Sequence, residues 1–236
     1  MISEWPRRVA ALTQIRVNDL ENPALSRDDD HHLRRVLRAR DGEEIVLSDG
    51  RGSWRLAGVT STGLDVLSDV VTDPTPVKTT LYLAPLKGER GEWAVAKATE
   101  VGVSRIVPLV SQRLAQKFRG DARDKVLSRW RRIADETCAQ CRRTYDLLIS
   151  EPVTPAEVPA RVAIADFTGD GDWSGLTAVA VGPEGGWAPG EWDEGRRRVS
   201  LGPTVLRGET AGVVAAAILS FTNGSWGFSL DGRENE

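Results

Sequence analysis

Past residue 76 the chain repeats one pattern, and that pattern restricts the fold more than any other feature. Strand-length apolar runs ("TTLYLAPL", "RIVPLV", "RVAIADF", "TAVAVG") alternate with segments of helical spacing. Runs apolar on both faces need cover on both sides, so the alternation predicts a mainly parallel sheet between helices. "RGEWAVAKATEVGV" is expected to be a helix closed by Gly102, and Asp121 to Arg143 a long basic one. "PGEWDEGRRRV" is read as a helix with Pro189 in its first turn, followed by a short strand, "VSLG". "ETAGVVAAAILSFTNG" closes the pattern as a nearly all-apolar final helix, before the polar tail "DGRENE".

The first seventy residues have a different texture. "EEIVLSDG" and "SWRLAGVTS" flank the hairpin signal Asp49-Gly50-Arg51-Gly52, and "GLDVLSDVV" offers a third strand. "DDDHHLRRVLRARDG" reads as a short helix capped by one of Asp28 to Asp30, with Leu33, Val36 and Leu37 as its apolar stripe and Gly42 beyond its end. Asp73-Pro74-Thr75-Pro76 breaks the pattern, which places a boundary between domains at 1–73 and 74–236. With 236 residues, 40% of them hydrophobic, both parts can hold a core.

Composition excludes several classes. No apolar run reaches the length of a membrane span, and the N-terminus, carrying Glu4 and Pro6, does not read as a signal peptide. Two cysteines, Cys138 and Cys141, make no disulfide framework and fit a reducing cytoplasm. With only His31 and His32 elsewhere they are half a zinc site, so no metal is expected. The net charge of −3 does not advertise nucleic-acid binding. Between Lys117 and Arg143, however, nine Lys and Arg face four Asp and Glu, and a phosphate responds to that local excess of five. The eight Trp residues, from Trp5 to Trp226, are too dispersed for a stacking array and read as core or interface.

Three loops bring bare backbone to strand ends: "APLKGERG", "GPEGGWAPGE" and "GPTVLRGETAG". In open α/β sheets ligands bind beyond the carboxyl ends of strands, and glycine lets a ligand approach the main chain. None of the loops matches a P-loop or a dinucleotide fingerprint. Tight turns alone explain one such loop readily, but two Gly-Pro openings, Gly182-Pro183 and Gly202-Pro203, less well.

"KGERGEWAVAKATEVGVSRIVPLVSQR", "VGPEGGW" followed by Glu191, and "LGPTVLRGETA" resemble the successive motifs of the 16S ribosomal RNA (uracil-N3) methyltransferase family. "HHLRRVLRARDGEEIVLSDG" resembles that family's N-terminal segment, so the likeness spans nearly the whole chain. It implies a PUA-like RNA-binding β-barrel followed by an α/β domain of the SPOUT class, with a C-terminal trefoil knot that topology rules alone would not propose. It also implies S-adenosylmethionine as cofactor, its adenine held by backbone groups. One wall would hold Gly182, Pro183, Glu184, Gly185 and Gly186; the other would hold Leu201, Gly202, Leu206, Arg207, Thr210 and Ala211. "LKGER" would line the same cleft, offering Lys87 and Arg90 to RNA phosphates. Two departures stand out. Gly208 occupies a position where the family commonly has a small hydroxyl residue, and "AQCRR" replaces "EQSGR", so that only Gln140 and Arg143 carry over.

Methylation at uracil N3 requires loss of a weakly acidic proton and stabilisation of negative charge on O2 or O4. Arg207 is the candidate for the charge and Glu209 for the proton, although a Glu in a first helical turn is also favoured by the helix dipole alone. The implied substrate is 16S rRNA or the 30S subunit, near the decoding centre. Arg34, Arg35, Arg38, Arg129, Arg131, Arg132, Arg142 and Arg143 are the remaining candidates for phosphate contact, some of them as merely solvated charges. Two rival functions remain open: ribose 2′-O-methylation by another SPOUT enzyme, and RNA binding without catalysis. The final helix, with Ala211, Gly212, Ala215, Ala216 and Ala217, is either a buried central helix or the seam of a homodimer; the resemblance favours the second.

Overall fold

The computed structural model describes residues 5–114 and 118–224; Lys117, Trp226 and the polar tail lie outside them. The chain divides into two compact units, one comprising 1–75 with 136–146 and the other 76–135 with 147–236.

The first unit opens with α1 (Trp5–Ala10), β1 (Gln14–Arg16) and α2 (Arg27–His31), which continues into a π-helical turn, His32–Val36. Ser26 rather than an aspartate caps α2, its hydroxyl accepting the Asp29 N–H at 3.0 Å. Four strands follow: β2 (Glu44–Ser48), β3 (Ser53–Thr60), β4 (Gly63–Val66) and β5 (Val71–Thr72). The expected third strand is thus two short ones, both antiparallel to β3, while β1 runs parallel to β2. Leu33, Ile45, Leu47 and Val59 are fully buried between the sheet and the α2 turn. Each such side chain contributes roughly 1.5–3 kcal/mol.

The segment 136–146 is fastened to this unit by polar contacts. Asp73 accepts from Arg8 at 2.8 Å, from Thr144 at 2.6 Å and from the Trp54 indole at 3.0 Å. Gly50 and Gly52 have left-handed φ values of +70° and +109°. A Cβ on Gly50 would lie 2.6 Å from the Asp146 carboxylate, so only glycine leaves room there.

The second unit carries β6 (Thr80–Leu83), α3 (Arg90–Glu100), β7 (Arg105–Pro108), α4 (Gly120–Gln140) except for its last five residues, β8 (Leu148–Ile149), β9 (Ala163–Asp170), β10 (Ala178–Val181), β11 (Arg198–Val199) and α5 (Gly208–Thr222). Its sheet is wholly parallel in the order β11-β9-β10-β6-β7-β8, as the alternation predicts. Leu81, Leu83, Ile106, Ile164 and Val179 are fully buried in it. α5 packs on α3, β6 and β10. Gly212 makes that approach possible, because a Cβ there would meet Leu83 at 3.0 Å.

A further expectation is corrected. The segment 189–197 is not a helix but a series of turns. Gly190 adopts φ +73°, and side chains take over the backbone's bonds: buried Glu191 accepts the N–H groups of Ala188 (2.7 Å) and Gln112 (2.5 Å). Buried Arg196 donates to the carbonyls of Pro159 and Val158 and lies over the Trp192 ring. On α5, Ala215 and Ala216 are buried within the chain itself, leaving Val213, Val214, Ala217 and Ile218 half-buried.

Candidate functional site

β10 is buried along its last three residues and ends at Val181, and the chain leaves the sheet at Gly182. Its neighbour β9, the loop after β11 and the first turns of α5 meet it there around a cleft of about 300 Å³. Gly182, Pro183, Glu184 and Gly186 line it from the loop after β10; Leu201, Gly202, Leu206 and Ala211 line it from the segment entering α5. The remaining expected residues, Gly185, Arg207 and Thr210, lie outside the lining.

Bare backbone is a packing requirement at two of these positions. A Cβ on Gly182 would come within 2.8 Å of the Trp187 indole, itself a wall of the cleft. On Gly208 it would meet Leu86 at 2.8 Å, with the Glu184 side chain at 3.8 Å. The hydroxyl-bearing residue expected there is thus replaced by one that lets α5 begin close to two other loops.

The electrostatics divide the site. Glu184 pairs with Arg90, and the Gly185 carbonyl accepts from Arg113, so the glycine-rich loop is held from two directions. Asp166 accepts from the Thr168 N–H (2.8 Å), the Thr168 hydroxyl (2.6 Å) and Arg198 (2.5 Å). Burial alone would raise its carboxyl, but these bonds and the Arg198 charge outweigh that and hold it below the ordinary carboxylate value. An ionised carboxylate, paired with Arg198, therefore lines the cleft. Arg207 is exposed at the residue preceding α5. Glu209, in the first turn, has one carboxylate oxygen buried without a hydrogen-bond partner.

The cationic candidates differ in exposure and in the partners they hold. In the first unit, Arg35 and Arg38 are exposed, whereas Arg34 is bonded to Asp30 (2.7 Å) and to the Thr60 carbonyl (3.0 Å). Arg143, expected to face RNA, instead donates to the Tyr145 carbonyl at 2.5 Å, and burial draws its guanidinium below the usual value. Arg142 likewise donates to the carbonyls of Ala139 and Ala11. In the second unit, Lys87 and Arg132 are exposed, Arg129 pairs with Glu92 and Arg131 with Glu151. Cys138 and Cys141, at the end of α4, are not joined in a disulfide.

Sequence reasoning missed Asp166, Phe167, Trp187, Thr204 and Val205, all of which line the cleft. Asp166 and Phe167 follow the apolar run of β9, and only the sheet order, which sets β9 beside β10, brings them to the site.

The first unit is a small β domain, and the second is a parallel α/β domain with a ligand cleft of nucleoside scale beyond its strand ends. The chain belongs to the RNA methyltransferase family: residues 73–220 match the family's RNA methyltransferase domain, and residues 25–65 its RNA methyltransferase PUA domain. It is 32% identical to the ribosomal RNA small subunit methyltransferase E of Mycobacterium bovis, over 88% of this chain and 89% of that one. The enzyme of the same name from Synechocystis is 31% identical, with 79% and 69% covered. Among solved structures, a Legionella pneumophila methyltransferase in complex with SAM is similar at a TM-score of 0.72 and 27% identity, over 88% of this chain and 96% of that one. The ribosomal RNA small subunit methyltransferase E of Neisseria gonorrhoeae, bound to S-adenosylmethionine, is similar at 0.71 and 26%, with 89% and 97% covered.

Proposed function

We propose that this protein transfers a methyl group from S-adenosylmethionine to N3 of a uridine in 16S ribosomal RNA. The observation that carries the reading is the glycine-walled cleft at the ends of β9 and β10. It occurs in a chain similar, over most of its length, to small-subunit rRNA methyltransferases and to structures holding that cofactor. The cleft suits the ligand chemically. Its bare backbone can bond an adenine edge, and its apolar surface can cover the ring.

Bound S-adenosylmethionine supplies an electrophilic methyl group on a sulfonium. Gly182, Pro183, Glu184, Gly186, Leu201, Gly202, Leu206 and Ala211 would hold it. Arg207, beside the cleft and always charged, would stabilise negative charge on a uracil carbonyl oxygen. Glu209, in the first turn of α5 and outside the cleft lining, would receive the N3 proton once the RNA is bound. Arg35 and Arg38 on the first domain, and Lys87 and Arg132 on the second, would meet RNA phosphates. The reading also takes 1–73 as the RNA-binding domain and 74–236 as the catalytic one, with the C-terminal loops threaded as a trefoil knot. It further takes the half-buried stripe of α5 as the seam of a homodimer and the cytoplasm as the place of action.

Incubation with methyl-labelled S-adenosylmethionine and either 30S subunits or protein-free 16S rRNA tests this. Label should enter the RNA of at least one substrate, and absence from both would refute the reading.

A further inference from the structure

Phe167 and Val205 are 86% and 94% exposed, against 61% for the next most exposed large apolar residue among the described ones, Val36. Both line the cleft. Among the described residues, the two barest large apolar side chains thus share the rim of the glycine-walled cleft, although water disfavours them there.

The backbone presents Phe167 deliberately. β9 and β11 pair in parallel, but consecutive residues Arg198 and Val199 align with Ile164 and Asp170, so the residues between them bulge out of the ladder. The bulge is braced. Asp166 accepts from Thr168 and Arg198, and Gly169 sits so close to β11 that a Cβ would lie 2.5 Å from the Val199 carbonyl carbon. Bulges beside active sites re-aim side chains, and this one turns an aromatic ring to solvent at the cleft mouth.

Resting on the function proposed above, we infer that Phe167, with Val205, forms the stacking platform that receives the target uracil. A uridine methylated at N3 must free its Watson–Crick edge and leave its stack, and an aromatic face replaces the lost stacking. The cofactor's adenine is a weaker candidate, because glycine backbone and the less exposed Trp187, Leu201 and Leu206 already offer it edges and apolar cover, while Phe167 stands at the rim. A second copy of the chain is weaker too. A stable interface buries about 800 Å² per partner, whereas a Phe side chain offers roughly 150–250 Å², and its chain neighbours, Asp166 and Thr168, are polar.

The test compares Phe167→Ala and Phe167→Tyr with the wild type, whose methylated nucleoside is identified first. The alanine variant should lower kcat/KM for the RNA substrate by roughly 5- to 100-fold. Its S-adenosylmethionine affinity by calorimetry and its oligomeric state should be unchanged, and the tyrosine variant should stay within about threefold of wild type. Because the ring is exposed, its removal should leave the melting temperature unaltered. Unchanged kcat/KM, a parallel loss of cofactor affinity, or dissociation into monomers would each overturn the inference. If the wild type methylates something other than uridine N3, the underlying function fails separately. The platform is then judged by binding alone: equal affinity of wild type and Phe167→Ala for a single-stranded uridine-rich RNA would overturn it.

Discussion

Replacing Gly182 with alanine tests the cleft wall with a single methyl group. The new Cβ would lie 2.8 Å from Trp187 Cε2, 2.9 Å from Cζ2 and 3.1 Å from Nε1. Restoring ordinary carbon contact near 3.5 Å moves the indole by roughly 0.7 Å. It cannot retreat freely, because its ring meets Trp192 edge-on at 5.1 Å and both rings pack on the cluster of Leu109, Val158, Val162 and Ala180. Overpacking of this kind costs about 1–3 kcal/mol. Where the indole yields into the cleft, that strain appears as a loss of S-adenosylmethionine affinity of roughly 5- to 150-fold. Where the core yields instead, it appears as a lower melting temperature. Calorimetric titration and thermal unfolding of the same sample distinguish these. Gly185→Ala is the matched control, since its Cβ would find nothing nearer than the Arg113 side chain at 3.8 Å, and its affinity should stay within about twofold. A folded Gly182→Ala protein with wild-type affinity and wild-type melting temperature would refute the reasoning.

Further outcomes follow from the same geometry. Glu209→Gln should lower kcat by about tenfold or more while leaving cofactor affinity intact; an unchanged kcat at all pH values would reduce Glu209 to a helix-dipole role. Ile218→Glu, on the half-buried stripe of α5, should convert a dimer to monomers in sedimentation and abolish activity with it, and a fully active monomer would contradict the proposed seam. The Asp166 carboxyl is held low in the folded state, so its stabilisation is complete above the unfolded value, about pH 4, and fades as pH falls through the folded value. Asp166→Asn should therefore melt below wild type at neutral pH, with the gap closing under about pH 4; a gap independent of pH would contradict this.

Much of this architecture is legible in the sequence because local patterns and tertiary structure agree. The apolar runs of β6, β7, β9 and β10 have the length and composition of doubly covered strands, and all four are parallel. Gly182 and Gly202 are equally legible, since a Gly-Pro step after an apolar run has few structural uses. Where reading failed, long-range side-chain contacts decided the outcome. The segment 189–197 has helical composition, yet Glu191 and Arg196 bind backbone groups far away in sequence and hold it as turns. Arg143 carries the charge expected of an RNA contact, but the fold of 136–146 buries it against a carbonyl. Asp166 and Phe167 follow an ordinary strand pattern, and nothing local signals the bulge that brings them to the cleft.

The most direct test of the central claim is nucleoside mass spectrometry of 16S rRNA from 30S subunits lacking the modification, after treatment with this protein and S-adenosylmethionine. The account predicts one new 3-methyluridine per 16S molecule, dependent on the cofactor. A 2′-O-methylated nucleoside in its place, or no new methylated nucleoside at all, would contradict it.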